Sequence, residues 1–410
     1  MKTKFFIPIT GLVFVIVAAQ GCSKKFNYDI DPDVDDPHRA EIVQISKNVS
    51  LSKEDVCGIA GDKSLCDRIK YGVDCFKVTY KTLYENKVVL TDALLIVPQY
   101  SESDTPRYAA YFHGTIVPFP FKTFETAIPS NFSGKTDSKD MMYCAMPLAG
   151  SGFCVAIPDY TGLGRTGDVD HPFVCYPELY KSALDGVKAC RKALIDSLDV
   201  AIDNKKIWLT GWSQGAGMSL YFQKKIEAAK LGSQFTIMAN STLAGPFSME
   251  HFISDMMSNP DKVYLIMALY SWATYSLNRF SNGLHRPLDQ IFRLDIYDQK
   301  SAILVLSTPG ELYQDFFLKN IKNGNDAAFI QAMSASSTSS GWTPVAPVYM
   351  HHGKEDILVP YFNMEDAYNG LKHSGSVFTY TDEKGGHDTF VPRYMSHTID
   401  IFNGGDPSDW

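Results

Sequence analysis

One short run in the sequence has residue types and spacing suited to covalent chemistry: Gly211-Trp212-Ser213-Gln214-Gly215. In a G-x-S-x-G pattern the glycines permit a strand-to-helix turn too tight for side chains, and the turn pushes the Ser hydroxyl out at the carboxyl edge of a sheet. The residue after Ser opens a helix, so the Gln214 N–H faces the place where an oxyanion would form. The bare pattern is weak. With Gly and Ser at roughly 7% each it arises by chance in about one chain in seven of this length. Its setting makes it specific, because the β-rich Lys206-Ile207-Trp208-Leu209-Thr210 precedes it and a helical segment follows.

A Ser hydroxyl is a poor nucleophile near its free pKa, so Ser213 requires a general base held in one tautomer by a carboxylate. In the chain order Ser, acid, His, both partners follow late strands. Asp356 lies in a loop just after Val348-Tyr349-Met350, and His387 follows Gly385-Gly386 about one strand–helix–strand unit later. Ser213, Asp356 and His387 are therefore the expected catalytic residues. Glu355 reads as a solvated charge and Asp388 as a helix N-cap. Of the ten histidines, His351 and His352 come too early for the base and one of them reads as packing. His285, His373 and His397 sit in polar or helical contexts where a surface His is expected. Tyr111-Phe112-His113-Gly114-Thr115 closes an earlier strand, and the loop after such a strand supplies a second oxyanion donor. That donor is assigned to the Thr115 N–H, with Gly114 as alternative, and His113 would orient the loop rather than move protons.

The elements that must position these residues follow from periodicity. Two β-rich runs between Val73 and Val97 flank Glu85-Asn86, the pattern of a hairpin. Arg107 to Phe112 and Phe153 to Ile157 are short apolar runs typical of strands buried on both faces. Leu179, Ala183, Leu184, Val187, Cys190 and Leu194 fall on one helical face. Ile207–Thr210, a helix from Gln214 to about 229, and Phe235–Met238 come next. After an interval the alternation resumes with strands at Val348–Met350 and Val377–Tyr380 and helices at Tyr361–Leu371 and Phe390–Phe402. This predicts an α/β fold, a mostly parallel, doubly wound sheet covered on both sides. Residues 46–246 and 342–410 form that domain. The interval 247–341, with Met249, Met256, Met257, Met267, Trp272, Tyr275 and Phe280 at helical spacing, is expected to be a helical cap insertion over an apolar pocket. Ser334–Ser340 reads as a flexible return linker.

Composition sets the outer limits. At 410 residues, 45% apolar and 20% charged, the chain has ample core, which excludes disorder and a disulfide mini-domain. A formal charge of −8 argues against a nucleic-acid partner, because phosphate binding needs clustered Lys and Arg. No Cys or His cluster has the spacing of a zinc site, so no metal is expected.

The motifs together carry a resemblance. Tyr111-Phe112-His113-Gly114-Thr115, Val155-Ala156-Ile157-Pro158-Asp159-Tyr160 with Gly162 and Gly164, His171-Pro172-Phe173 before the Glu178 helix, the Ser213 elbow, His352-Gly353-Lys354-Glu355-Asp356-Ile357-Leu358-Val359-Pro360 and Gly386-His387 resemble the α/β-hydrolase superfamily. The Pro158-Asp159-Tyr160, Gly162, Gly164 and His171-Pro172 block is similar to the secretory lipase and esterase branch. The resemblance implies a serine carboxylic ester hydrolase with a Ser-Asp-His triad, a two-amide oxyanion hole, a helical cap and no cofactor. Its substrate would be a small-molecule, lipid or glycan ester. Asp159, Arg165 and His171 read as loop support, with direct substrate contact by Tyr160 or Arg165 the lesser expectation. A serine peptidase or acyl-aminopeptidase, a glycan ester deacylase acting on acetyl or feruloyl groups, and a non-enzymatic surface binding module on a hydrolase scaffold are the alternatives. Fold does not choose among them.

The N-terminus addresses location. Lys2 and Lys4, the apolar stretch Phe5 to Ala19 and Ala19-Gln20-Gly21-Cys22 form an export signal over residues 1–21. The junction resembles the bacterial lipoprotein processing site, which implies lipidation at Cys22 and a membrane partner through that anchor. The protein is thus expected to be periplasmic or anchored at the outer membrane or cell surface. Residues 22–45, with Asp29, Asp31, Asp33, Asp35 and Asp36, read as an acidic tether. Of the seven further cysteines, Cys57, Cys66 and Cys75 lie where a local bridge fits, and Cys154 and Cys190 fall in apolar patterns of buried thiols; the pairing stays open.

Overall fold

The computed structural model describes residues 39–101, 105–117, 124–228, 235–264, 266–293, 301, 307–408 and 410. Cys22 and the segment 1–21 expected to be an export signal lie outside them. Among the described residues the strands are β1 (Ile42–Leu51), β2 (Val73–Tyr84), β3 (Lys87–Pro98), β4 (Arg107–Phe112), β5 (Phe153–Pro158), β6 (Lys206–Trp212), β7 (Thr236–Leu243), β8 (Val348–Gly353) and β9 (Val377–Asp382). They form one sheet in the order β1-β2-β3-β5-β4-β6-β7-β8-β9. The β1–β2, β2–β3 and β3–β5 pairs are antiparallel, and every pair from β5–β4 to β8–β9 is parallel. The β2–β3 hairpin closes at Tyr84↔Lys87 with Glu85 and Asn86 both at positive φ, the two-residue turn whose twist suits the strands.

Among the described residues the α-helices of eight residues or more are α1 (Lys53–Ala60), α2 (Tyr176–Asp196), α3 (Gln214–Ala228), α4 (Met249–Met257), α5 (Met267–Phe280), α6 (Asp315–Lys322), α7 (Ala327–Ala335), α8 (Phe362–Leu371) and α9 (Val391–Phe402). Leu179, Ala183, Val187 and Cys190 of α2 and Met218 and Phe222 of α3 cover one face of the sheet. Val56 of α1, Leu148 and the Tyr394–Ile399 side of α9 cover the other. The central strand β5 is an apolar run buried at every residue because both its faces are covered.

Several expectations change. The segment read as tether to residue 45 already holds β1 from Ile42, with Arg39 and Ala40 buried before it. Edge strands bury half their residues at most, and β1 is bulged twice, so its alternation is faint in the sequence. Ser334–Ser340 is no solvated linker. Ser336 and Thr338 are fully buried, and the Thr338 and Ser339 amides donate to the Phe247 carbonyl at 2.8 and 3.1 Å, tying the two ends of the insertion together. A disulfide joins Cys57 of α1 to Cys66 just after it, while Cys75 is a buried thiol in β2, as are Cys154 and Cys190 elsewhere.

α4 to α7 lie in the insertion between β7 and β8. Trp272 of α5 is fully buried and stacks on Phe173 of the loop before α2, with ring centroids 4.2 Å apart. Tyr275 donates to Asp170 at 2.7 Å, and Arg279 pairs with Glu85 at the hairpin turn. The insertion is thus packed and hydrogen-bonded to the sheet domain along α5.

Candidate active site

Ser213 stands between β6 and α3 with φ of 58°, a left-handed conformation rare for a residue with a Cβ. Its amide donates to the Leu243 carbonyl at 2.8 Å, and its carbonyl accepts from the Ala216 amide at 3.0 Å. The glycines are sterically required. A Cβ on Gly215 would stand 1.9 Å from the Phe112 carbonyl oxygen, and one on Gly211 would stand 2.3 Å from the Gly215 carbonyl oxygen. Backbone contacts of that kind leave no room for relaxation.

The structure brings the three distant side chains together. Ser213 Oγ lies 2.9 Å from His387 Nε2, and His387 Nδ1 lies 2.7 Å from Asp356 Oδ2. Asp356 is fixed from its other oxygen, which accepts from the Leu358 and Val359 amides at 2.8 and 2.9 Å. Burial opposes the charge on Asp356, but hydrogen bonds from His352 and His387 outweigh it and hold the carboxyl well below the usual carboxylate range. Asp356 is therefore ionised through the neutral range. His352 is anchored by donating to the Val359 carbonyl at 2.8 Å.

Thr115 and Gln214 both face the same cavity as Ser213 and His387. Among the described residues neither backbone amide has a hydrogen-bond partner. Gly114 is different, since its amide donates to Asp140 Oδ1 at 2.8 Å. Behind this edge His113 is buried and stacks on Tyr160 at 4.2 Å. Burial lowers its pKa, so the ring is neutral, and its Nδ1–H donates to the Gly114 carbonyl at 2.8 Å. Gln214 is held through its side chain, whose Nε2 donates to His171 Nε2 at 2.8 Å, while His171 Nδ1–H donates to the Thr161 carbonyl at 2.8 Å. Burial pushes His171 down to about 4, which keeps the ring neutral, and the Thr161 carbonyl holds the proton on Nδ1.

The cavity has a volume of about 270 Å³. Its walls are largely apolar: Phe173 and Val174 from the loop before α2, Phe252 and Leu269 from the insertion, Leu358 and Val359 from the Asp356 loop. Among the described residues that line it, Asp140 is the one carboxylate. This residue opens a π-helical turn, Asp140–Ala145, that no motif in the sequence marks. The only hint is the polar Ser138-Lys139-Asp140 directly before an apolar run.

Other expected roles divide. Asp159 accepts from the Ser130 amide and Arg165 pairs with Asp92, both as loop supports. Tyr160 is fully buried behind His113, away from the cavity. Glu355 is exposed, as are His285 and His373. Asp388 is not a helix N-cap; it pairs with Lys139, and α9 begins only at Val391. His397 is buried, not superficial, and its Nδ1 meets His351 Nε2 at 2.9 Å under Trp410, because α9 turns that face onto the sheet. Among the described residues no group of His, Cys, Asp or Glu could hold a metal ion, and no helix is long and apolar enough to cross a membrane.

No family profile matches the chain, and no curated protein matches it. Solved structures do. A Legionella pneumophila protein described as a candidate hydrolase superposes with a TM-score of 0.72 at 21% identity, covering 90% of this chain and 99% of its own. The rice cell wall degrading esterase LipA from Xanthomonas oryzae gives 0.70 at 20% identity, covering 90% and 98%. Candida antarctica lipase A gives 0.62 at 15% identity, covering 93% and 86%. With the mostly parallel sheet and its flanking helices, these likenesses establish an α/β-hydrolase fold. At such identities they carry the architecture and leave the reaction to the site.

Proposed function

We propose that this chain is a serine carboxylic ester hydrolase working through an acyl-enzyme. The observation that carries the reading is the continuous Ser213–His387–Asp356 hydrogen-bond chain at the mouth of an apolar cavity edged by the Thr115 and Gln214 amides, neither of which has a partner among the described residues. Ser213 Oγ attacks the ester carbonyl carbon as His387 Nε2 takes its proton. Asp356 keeps the proton on Nδ1 and stabilises the imidazolium. The carbonyl oxygen, now anionic, is bound by the Thr115 and Gln214 N–H groups. His387 then returns the proton to the alkoxy leaving group, which departs as alcohol. A water deprotonated by His387 attacks the acyl-enzyme, and release of the acid restores Ser213.

The largely apolar wall favours an uncharged acyl group, and the solved relatives named as esterase and lipase point to esters. The test is labelling by a fluorophosphonate probe beside turnover of p-nitrophenyl esters of increasing chain length and of aminoacyl amides. Wild type is expected to label and to hydrolyse the esters, with both lost in Ser213→Ala. No labelling of folded protein would favour a binding module, and turnover confined to the amides would favour a peptidase.

Export and lipid anchoring through Cys22 are part of the proposal, supported by the residue 1–22 pattern. The Cys57–Cys66 disulfide fits an oxidising compartment.

A further inference from the structure

We infer that Asp140 is the positioning residue of the oxyanion hole, rather than a chance carboxylate on the cavity wall. The inference rests on the serine hydrolase reading and adds a residue to it. Two successive peptide units carry the loop after β4. The N–H of Gly114 is taken by Asp140 Oδ1 at 2.8 Å, and the same oxygen accepts the Tyr111 hydroxyl at 2.5 Å. The next unit presents its carbonyl, that of Gly114, to His113 at 2.8 Å, and its opposite end is the Thr115 N–H at the cavity. Asp140 thus removes Gly114 from the possible oxyanion donors and fixes the plane from which Thr115 donates.

The choice of residue type is informative. A carboxylate near a developing oxyanion opposes it, so its presence is costly unless its accepting geometry is needed. Two donors converging on one oxygen meet that need. The position of Asp140 is itself held from the far side. It opens the π-helical turn, an irregularity often placed at functional sites, and its neighbour Lys139 pairs with Asp388, the residue after His387. One two-residue segment therefore touches both the oxyanion loop and the loop of the general base.

The experiment compares Asp140→Ala and Asp140→Asn with wild type on a p-nitrophenyl ester, with folding monitored by thermal unfolding. In D140A, kcat is expected to fall about 10²-fold, as when an oxyanion donor is lost, with KM within about threefold. Affinity for a trifluoromethyl ketone, whose adduct carries the oxyanion, should fall in parallel. D140N keeps an oxygen acceptor and should retain kcat within about tenfold of wild type. Asp140→Ser, too short to reach Gly114, reads the same loss should D140A not fold. A folded D140A or D140S with kcat near wild type overturns the inference, as does a D140N loss as deep as that of D140A. Absence of fluorophosphonate labelling in wild type would instead overturn the hydrolase reading beneath it.

Discussion

Ser213 is held at φ 58° by a hydrogen bond to Leu243 and by the first bonds of α3, so the strain at this serine is sustained by its surroundings. Asp356 and Asp159 show how two buried carboxyls diverge. Asp356 accepts from the Leu358 and Val359 amides and from His387, with His352 3.4 Å away, and stays ionised. Asp159 is fully buried, one of its oxygens has no partner among the described residues, and burial pushes it up to about 7. Because its folded pKa is raised, its contribution to stability is full below about 4 and is lost as pH climbs to about 7. The whole effect is of order 4 kcal/mol at most. Asp159→Asn, which can still accept from the Ser130 amide, is expected to raise the urea midpoint at pH 8 and to leave it little changed at pH 4. Equal midpoints for the two proteins at pH 8 would refute the raised pKa. Asp356, with its lowered pKa, acts oppositely: its contribution is present above about 4 and disappears only in stronger acid.

At the level of elements, the turn between β6 and α3 is the tightest contact at the site. Gly215→Ala places a methyl against the Phe112 carbonyl, and β4 cannot retreat without breaking its pairing with β6. A destabilisation of about 3 kcal/mol or more is expected, read as a drop in thermal midpoint together with loss of ester turnover. Unchanged stability would mean that the turn has more room than its backbone implies. The strands and helices around this turn were legible because each has one dominant period: β4 and β5 are apolar runs, and α2 repeats its apolar residues along one face. β1 was missed because an edge strand lacks a consistent buried face. The Asp140 turn was missed because a π-helix has no hydrophobic period of its own, and the serine-rich return because serine marks loops whether solvated or buried.

For the whole molecule, the insertion between β7 and β8 supplies Phe252 and Leu269 to the cavity and is fastened along α5 by Trp272, Tyr275 and Arg279. The sheet domain carries Ser213, Asp356 and His387, and the insertion supplies part of the cavity wall. The anchor proposed at Cys22 adds a prediction at this scale. Expressed in a bacterial host, the full chain should partition with membranes and incorporate labelled palmitate, and Cys22→Ser should release equally active protein to the soluble fraction. Palmitate incorporation that persists in Cys22→Ser would place the lipid elsewhere.

The order of strands and helices, the elbow and the late Asp356 and His387 could be read from the linear sequence, because each depends on local periodicity or on turn chemistry a few residues long. The meeting of Ser213, His387 and Asp356 within hydrogen-bond reach, the withdrawal of the Gly114 amide by Asp140, the Cys57–Cys66 pairing and the burial of His397 were decided only in three dimensions. Each of these joins residues that local pattern leaves independent, and only the packing of the strands and helices brings such groups within a few ångströms.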